Sequence, residues 1–493
     1  MISVKNLSFK YKNAQRKSIS NINFDVKKGE LVILLGSSGS GKTTITRVIN
    51  GLVPEFYEGD FYGDIFIDGE NTDDLYINDL SKIVGSVFQD PRSQFFATDT
   101  TAEVAFSCEN SAIESTEIVK RITESAKLLD IEKLLERNIF HLSSGEKQLI
   151  AIASVCIYNP KIIVFDEPSA NLDLSACNKL GNIIARLKND GYTILISEHR
   201  IHYLKDLCDR AYFLENGEIT KTFCNDDLFL KSNKELNELS IRSSVLEDIE
   251  YENVEDSYSS NQNANINYFT INNLSFAYDK KNPLYENLNF STGQGNIIGI
   301  IGKNGVGKST LLEIICGLKK ADKGQICINS QPLSAKKRVK QSYLVMQDSD
   351  CQLFTEQVIK ELLLNQNHNS DYLKKADELL DFLQLSDYKK NHPATLSGGQ
   401  KQRLCIAVAC MKNADVICFD EPTSGLDYLN MKKMTTLFKS ISKDNKLIFV
   451  ISHDYEFLVN CCTHILCLNG NSDEQVLRRL DEYKKGELLE GLK

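Results

Sequence analysis

One ordered set of short motifs occurs twice in this chain, and that repetition limits the possible folds more than any composition value does. The first set runs Gly36-Ser37-Ser38-Gly39-Ser40-Gly41-Lys42-Thr43, then Gln89, Leu142-Ser143-Ser144-Gly145-Glu146, Asp166-Glu167 and His199. The second runs Gly302-Lys303-Asn304-Gly305-Val306-Gly307-Lys308-Ser309, then Gln347, Leu396-Ser397-Gly398-Gly399-Gln400, Asp420-Glu421 and His453. Lys42 and Lys308 are 266 residues apart, Gln89 and Gln347 are 258 apart, and the Asp and His pairs are each 254 apart. A period this long means duplicated domains, because solenoid repeats are far shorter. The drift places most of the length difference between Lys42 and Gln89, which are separated by 47 residues against 39 in the second half. Part of that surplus is Val53-Pro54-Glu55-Phe56-Tyr57-Glu58.

Each half alternates strand and helix. Glu30 to Leu35 is a short apolar run that flows into glycines and then a helical stretch, and Ile297 to Ile301 repeats the pattern. Runs of this kind are buried parallel strands. Further runs, Lys161 to Phe165, Thr193 to Ile196, Val416 to Phe419 and Leu447 to Ile451, end on or just before a motif residue. Open α/β sheets collect ligands at the carboxyl ends of their strands, so each half is expected to deliver its polar residues to one site. The expected division is 1–228 for the first domain, 229–267 for a polar, acidic linker, 268–475 for the second domain and 476–493 for a charged helical tail.

Composition narrows the class. The 493 residues, 42% hydrophobic, supply at least two cores, and no stretch approaches the roughly 18 to 20 unbroken apolar residues of a membrane span. Met1-Ile2-Ser3-Val4-Lys5-Asn6 lacks a signal-peptide pattern, so the chain is expected in the cytosol. The fourteen cysteines include Cys316, Cys327, Cys405 and Cys418 in apparent core elements and show no paired CxxC spacing, which points to reduced core thiols. With 57 basic and 67 acidic residues the net charge is −10, which argues against a nucleic-acid partner.

GxxxxGK[ST] between a strand and a helix is a phosphate cradle, in which glycines let backbone N–H groups converge on phosphate oxygens at a helix N-terminus. Lys42 and Lys308 would neutralise the β and γ phosphates, and the Thr43 and Ser309 hydroxyls would ligate Mg²⁺; Thr44 and Thr310 follow them in the cradle. In Asp166-Glu167-Pro168 and Asp420-Glu421-Pro422 the first acid suits the magnesium site and the second suits a base for the attacking water. His199 and His453 follow another strand and could hold the γ-phosphate and the water in line. In the Leu-Ser-x-Gly segments, a serine hydroxyl and backbone donors at a helix start suit a phosphate. Tyr11 and Tyr278, after Leu7-Ser8-Phe9 and Leu274-Ser275-Phe276, are candidate base-stacking aromatics at strand ends.

Taken together, the phosphate loops, Gln89 and Gln347, the signatures, the Asp-Glu pairs, Asp173 and Asp427, and the two histidines resemble the ABC-transporter ATPase family over nearly the whole chain, twice. The resemblance implies two tandem P-loop α/β domains, each a RecA-like core with an antiparallel β subdomain and a helical signature subdomain. It implies ATP and Mg²⁺ as ligands, with Gln89 and Gln347 joining Thr43, Asp166, Ser309 and Asp420 around the metal. In that family two such domains close head to tail. By that resemblance one site combines Lys42, Gln89, Glu167 and His199 with Ser397, Gly399 and Gln400, and the other combines Lys308, Gln347, Glu421 and His453 with Ser143, Gly145 and Glu146. The pair is then intramolecular and needs no further oligomerisation.

Gln89 and Gln347 are each followed five residues later by a second glutamine and an apolar pair, Gln94-Phe95-Phe96 and Gln352-Leu353-Phe354. This is similar to energy-coupling-factor (ECF) importer ATPases, and implies a cytoplasmic-face subunit partnered by an integral membrane coupling subunit and a membrane substrate-binding subunit. Two alternatives stand beside it: the fused ATPase of a sugar-type importer, whose members often have one eroded site, and a soluble translation-associated twin ATPase, whose members tend to carry a long charged insert. The first signature departs from the family at Ser144 and Glu146, and its Lys147-Gln148-Leu149 lacks the Arg found at Arg403. A carboxylate near a phosphate is unfavourable unless it points away or finds a cation, for which Lys147 is the nearest candidate in sequence. The site containing this signature is expected to turn over no faster than the other.

Overall fold

The computed structural model describes the whole chain except residues 13, 251–267, 365–369, 469–476, 485 and 493. The chain divides into two compact units, Met1–Val245 with Gly425–Leu429, and Leu246–Ser424 with Asn430–Lys493.

The first unit holds two sheets. In one, β1 (Ile2–Tyr11) lies between β2 (Ile19–Val26) and β4 (Gly59–Ile67), all antiparallel, with β5 (Glu70–Asn71) at the edge. Alternate residues of β2 are buried, as expected for a sheet with one covered face. The other sheet has the order β10–β9–β3–β8–β7–β6, built from β3 (Leu31–Gly36), β6 (Val84–Val87), β7 (Ile162–Asp166), β8 (Thr193–Ser197), β9 (Arg210–Glu215) and β10 (Glu218–Cys224). Its pairings are parallel except β9 with β10. Every residue of β3 and β8 is buried, so these runs have apolar cover on both faces. Helices Thr100–Asn110, Ser115–Leu129 and Ser144–Cys156 contribute Val104, Ala126 and Ile150 to the core that also contains Phe165 of β7.

The second unit repeats this plan. One antiparallel sheet is β12 (Tyr285–Thr292), β11 (Phe269–Phe276), β14 (Lys323–Ile328) and β15 (Gln331–Pro332). The main sheet runs β16 (Ser342–Val345), β17 (Val416–Asp420), β18 (Leu447–Ile451), β13 (Ile297–Ile301), β19 (His464–Cys467) and β20 (Leu477–Arg479). Here too all but the last pairing is parallel. The strands expected at Ile297, Val416 and Leu447 form, each five residues long with at least four buried.

Much of the expected linker, 251–267, lies outside the described residues. Its beginning is ordered into a helix, Asn233–Glu238, closed by a Ser232/Glu235 capping box. The expected helical tail is partly something else: Leu477–Arg479 pairs with β19 as an edge strand, and only Glu487–Leu492 is α-helical. An exposed sheet edge offers backbone partners that a short charged segment takes up. Among the described residues, no helix is long and apolar enough to cross a membrane, and all fourteen cysteines are free thiols.

Candidate functional site

In the first unit β3, β6, β7 and β8 run parallel, so their carboxyl ends share one edge of the sheet. The loop after β3 is 36–41 and leads directly into the helix Lys42–Ile49. Gly36 at φ 144° could not carry a side chain, because a Cβ would press on the Leu214 carbonyl oxygen. Gly41 caps the helix at φ 107°, which only glycine adopts without strain. The loop therefore turns its backbone, not side chains, toward the strand edge.

The Lys42 ammonium is buried and donates to the carbonyl oxygens of Gly36 (2.9 Å) and Ser37 (3.2 Å). It also lies 3.9 Å from Glu167 Oε1 and 3.4 Å from His199 Nε2. Burial pulls the Lys42 pKa down from its ordinary value, against the opposing pull of Glu167. Glu167 itself accepts from Gln89 Nε2 at 2.9 Å and lies 3.0 Å from His199 Nε2. Burial alone would raise its carboxyl pKa, but His199 and Lys42 outweigh that and hold it below the usual carboxylate range. The backbone of Glu167 has φ 44°, in the left-handed region that non-glycine residues seldom enter, and its N–H is tied to the Ser197 carbonyl at 3.0 Å. Thus the four residues read as Lys, Gln, Glu and His converge.

Asp166 accepts from the hydroxyls of Thr43 (3.2 Å) and Ser197 (2.6 Å). Burial, then the charge of Glu167, raises its pKa. A hydroxyl beside a buried carboxylate is a hard-oxygen pair, and Mg²⁺ is commonly held by one or two such protein oxygens together with phosphate oxygens. The residues present therefore fit that ion.

The second unit reproduces the constellation with looser joints. Lys308 donates to the carbonyl oxygens of Gly302 (2.7 Å) and Lys303 (3.2 Å), within the loop 302–307 that ends at Gly307, φ 103°. His453 Nε2 is 3.4 Å from Glu421 Oε1, and Glu421 has φ 51°. Burial raises the Asp420 pKa and a hydrogen bond from Ser309 opposes it, so the hydroxyl–carboxylate pair recurs. Both glutamines are exposed, and Gln89 donates to its glutamate.

Both signatures start helices. Ser143 caps Ser144–Cys156 and Ser397 caps Gly398–Met411, each with a capping box closed by Glu146 or Gln400. Glu146 takes its cation from Arg137, 4.0 Å away, and not from Lys147, the candidate nearest in sequence. Consecutive helix residues point about 100° apart, so sequence neighbours are poor ion-pair partners. Burial would raise the Glu146 pKa, but the Ser143 hydrogen bonds and Arg137 lower it. The Tyr11 hydroxyl is 3.3 Å from Thr44 Oγ1 and that of Tyr278 is 3.0 Å from Thr310 Oγ1, so each tyrosine stands beside its cradle. Tyr11 ends β1 as expected, whereas Tyr278 lies two residues beyond β11.

Sequence reading missed Glu198, which is 2% exposed. Its carboxylate accepts from the backbone N–H groups of Ser169 (3.1 Å), His199 (2.6 Å) and Arg200 (3.2 Å) and from the Tyr203 hydroxyl (2.7 Å). It fixes the turn that presents His199. The available signal was a carboxylate where the second half has Ser452.

Comparison with known proteins identifies the family of the chain. The ABC transporter family model matches residues 19–170 and 285–424. A Treponema denticola protein described as an ABC transporter ATP-binding protein is 41% identical over 493 residues, covering 99% of each chain. A Bacillus subtilis protein, YkoD, named for HMP/thiamine import ATP binding, is 29% identical and covers 95% of this chain and 90% of its own. Among solved structures, an RNase-L inhibitor matches with a TM-score of 0.61 at 22% identity, over 94% of this chain and 87% of that one, which is a likeness of fold. The chain belongs to the ABC transporter ATP-binding family and is a fused, two-domain member of that ATP-hydrolysing class.

Proposed function

We propose that this chain energises an ECF-type importer from the cytoplasmic face of the membrane, working with an integral membrane coupling subunit and a membrane substrate-binding subunit. The observation that carries this reading is the glutamine-loop extension, built the same way in both units. Gln94 Oε1 accepts the Phe88 N–H (3.3 Å) and Gln352 Oε1 accepts the Met346 N–H (2.9 Å), closing each loop. Buried Glu103 takes the N–H groups of Phe96 and Ala97, and buried Glu361 takes those of Phe354 and Thr355. Each loop thereby holds an apolar ring outward, Phe96 at 75% and Phe354 at 77% exposure, as a partner-binding loop requires. The HMP/thiamine import for which YkoD is named supports a vitamin or vitamin precursor as cargo; a trace metal ion is the other cargo class of such importers.

In the proposed reaction, a water attacks the γ-phosphorus, the bond to the β,γ-bridging oxygen breaks, and the water proton passes to Glu167 or Glu421. His199 and His453 orient that carboxylate, and Lys42 and Lys308 offset the phosphate charge. Thr43 and Asp166, or Ser309 and Asp420, together with Gln89 and Gln347, would hold magnesium, which when bound would neutralise charge on the phosphate oxygens. The signatures, Ser143-Gly145-Glu146 and Ser397-Gly399-Gln400, serve the γ-phosphate in the crossed pairing that the family resemblance implies.

The test is purification of the tagged full chain from membranes. Integral membrane proteins should co-purify, and uptake should fail in a deletion strain. Association with ribosomes instead, or ATPase activity indifferent to membranes with no membrane partner, would sink the importer reading.

A further inference from the structure

The surplus segment between Lys42 and Gln89 packs beside Tyr11. Residues 52–59 bring Glu58 O to the Lys12 N–H at 3.0 Å and set Gly59 opposite Tyr11 in the β1–β4 register. This places the Tyr57 ring edge-on to Tyr11, with centroids 6.2 Å apart and an interplanar angle of 87°. The Arg47 guanidinium, on the helix that follows the phosphate loop, stacks over Tyr57 at 4.2 Å and donates to the Tyr11 hydroxyl at 3.2 Å. Two rings and a guanidinium thus meet at the Thr44 end of the cradle. All three side chains are partly exposed, so an incoming ring system can reach them.

The second unit is built differently at the same place. Five residues after Lys308 stands Glu313 in place of Arg47, and its carboxylate is paired with Lys319 at 2.7 Å. Lys319 in turn donates to the Tyr278 hydroxyl at 2.5 Å and lies over that ring at 4.5 Å. Tyr278 is 68% exposed. A cation reaches the tyrosine in each unit, but the first adds a second aromatic ring from the surplus segment.

We propose that Arg47 and Tyr57 form a base-recognition wall at the first unit's nucleotide cradle, one that favours purine over pyrimidine nucleoside triphosphates and has, among the described residues, no counterpart of Tyr57 at the second. Purines offer the larger stacking face to Tyr57 and the guanidinium, and their ring nitrogens accept the Arg47 donors that Tyr11 leaves over. The inference rests on the reading of the Lys42 loop as a phosphate cradle.

The experiment uses the full chain carrying Lys308→Ala, so that binding reports the first cradle, and measures ATP, CTP and inorganic tripolyphosphate by equilibrium dialysis. The wall predicts that ATP binds about tenfold more tightly than CTP, a ratio that falls several-fold in Tyr57→Ala and in Arg47→Ala and is kept in Tyr57→Phe. Tripolyphosphate affinity should stay constant across the set, which also reports an intact cradle. An unchanged ATP-to-CTP ratio in both alanine variants overturns the wall while leaving the cradle standing. A chain that binds neither ATP nor tripolyphosphate overturns the wall and the cradle together.

Discussion

The Ser143 hydroxyl donates to the Glu146 carboxylate at 2.8 Å, and the same carboxylate oxygen takes the Ser143 backbone N–H, also at 2.8 Å. In the second signature Gln400 takes the Ser397 backbone N–H at 2.8 Å, and the Ser397 hydroxyl accepts the Gln400 N–H at 3.4 Å. The serine proton that could go to a γ-phosphate is therefore committed in one signature and available, among the described residues, in the other. Under the proposed crossed pairing, Glu146→Gln should release it and raise the turnover that depends on Glu421 by roughly 2- to 10-fold, a gain in line with one hydrogen bond. Steady-state phosphate release, measured in a Glu167→Gln background, checks this; no rise would mean that Glu146 does not restrain the site.

Removing either proposed base should stop chemistry without stopping binding. Glu167→Gln and Glu421→Gln are each expected to lower turnover at their own site by about 10² to 10⁴ while ATP still binds. If, in the crossed pairing proposed above, Glu146 hampers the site that contains Glu421, Glu421→Gln should cost the whole chain less than Glu167→Gln does. If Glu167→Gln spared turnover and Glu421→Gln abolished it, the ranking of the two sites would be reversed.

Asp166 supplies a pH dependence whose sign is fixed by its environment. Its carboxyl pKa is raised by burial, so its contribution to stability is full below the ordinary value of 3.8 and is lost as pH rises through the higher folded-state value. Asp166→Asn keeps an acceptor for Thr43 and Ser197 yet carries no charge. In metal-free buffer without nucleotide, the variant should melt above the wild type at pH 7, and the difference should close as pH falls toward about 4. Calorimetry across that range checks the prediction, and Mg²⁺ with ATP should stabilise only the wild type strongly.

Glu103 anchors the exposed Phe96 loop through two backbone N–H groups, at 2.8 and 2.7 Å. Glu103→Ala leaves both part-buried donors without their acceptor and should cost about 1 to 3 kcal/mol of stability. Glu103→Gln keeps one acceptor oxygen and should recover most of that loss. Under the importer reading, Glu103→Ala should also weaken capture of the membrane subunits more than it changes basal ATPase activity, which a pull-down beside a phosphate-release assay would separate.

The duplicated motifs, the parallel core strands and the convergence of Lys42, Glu167 and His199 were legible in the sequence. Their legibility has a simple origin: apolar runs such as Leu31–Gly36 announce buried strands, and polar residues at the ends of parallel strands must share an edge. The edge strand Leu477–Arg479 was not legible, because three charged or apolar residues become a strand only when β19 offers an unpaired edge. Glu198 was equally silent, since a glutamate in a sequence does not say that four donors will surround it.

By itself, the sequence determined that this protein has two ATP-handling α/β units, each with a glycine loop, lysine and carboxylates brought to one strand edge, because those residues at fixed spacing leave the backbone few alternatives. Only the tertiary structure decided how the two cradles differ. Whether Glu146 meets Lys147 or Arg137, and whether Tyr57 meets Tyr11, depends on side-chain directions and on chain segments that close only when the unit folds.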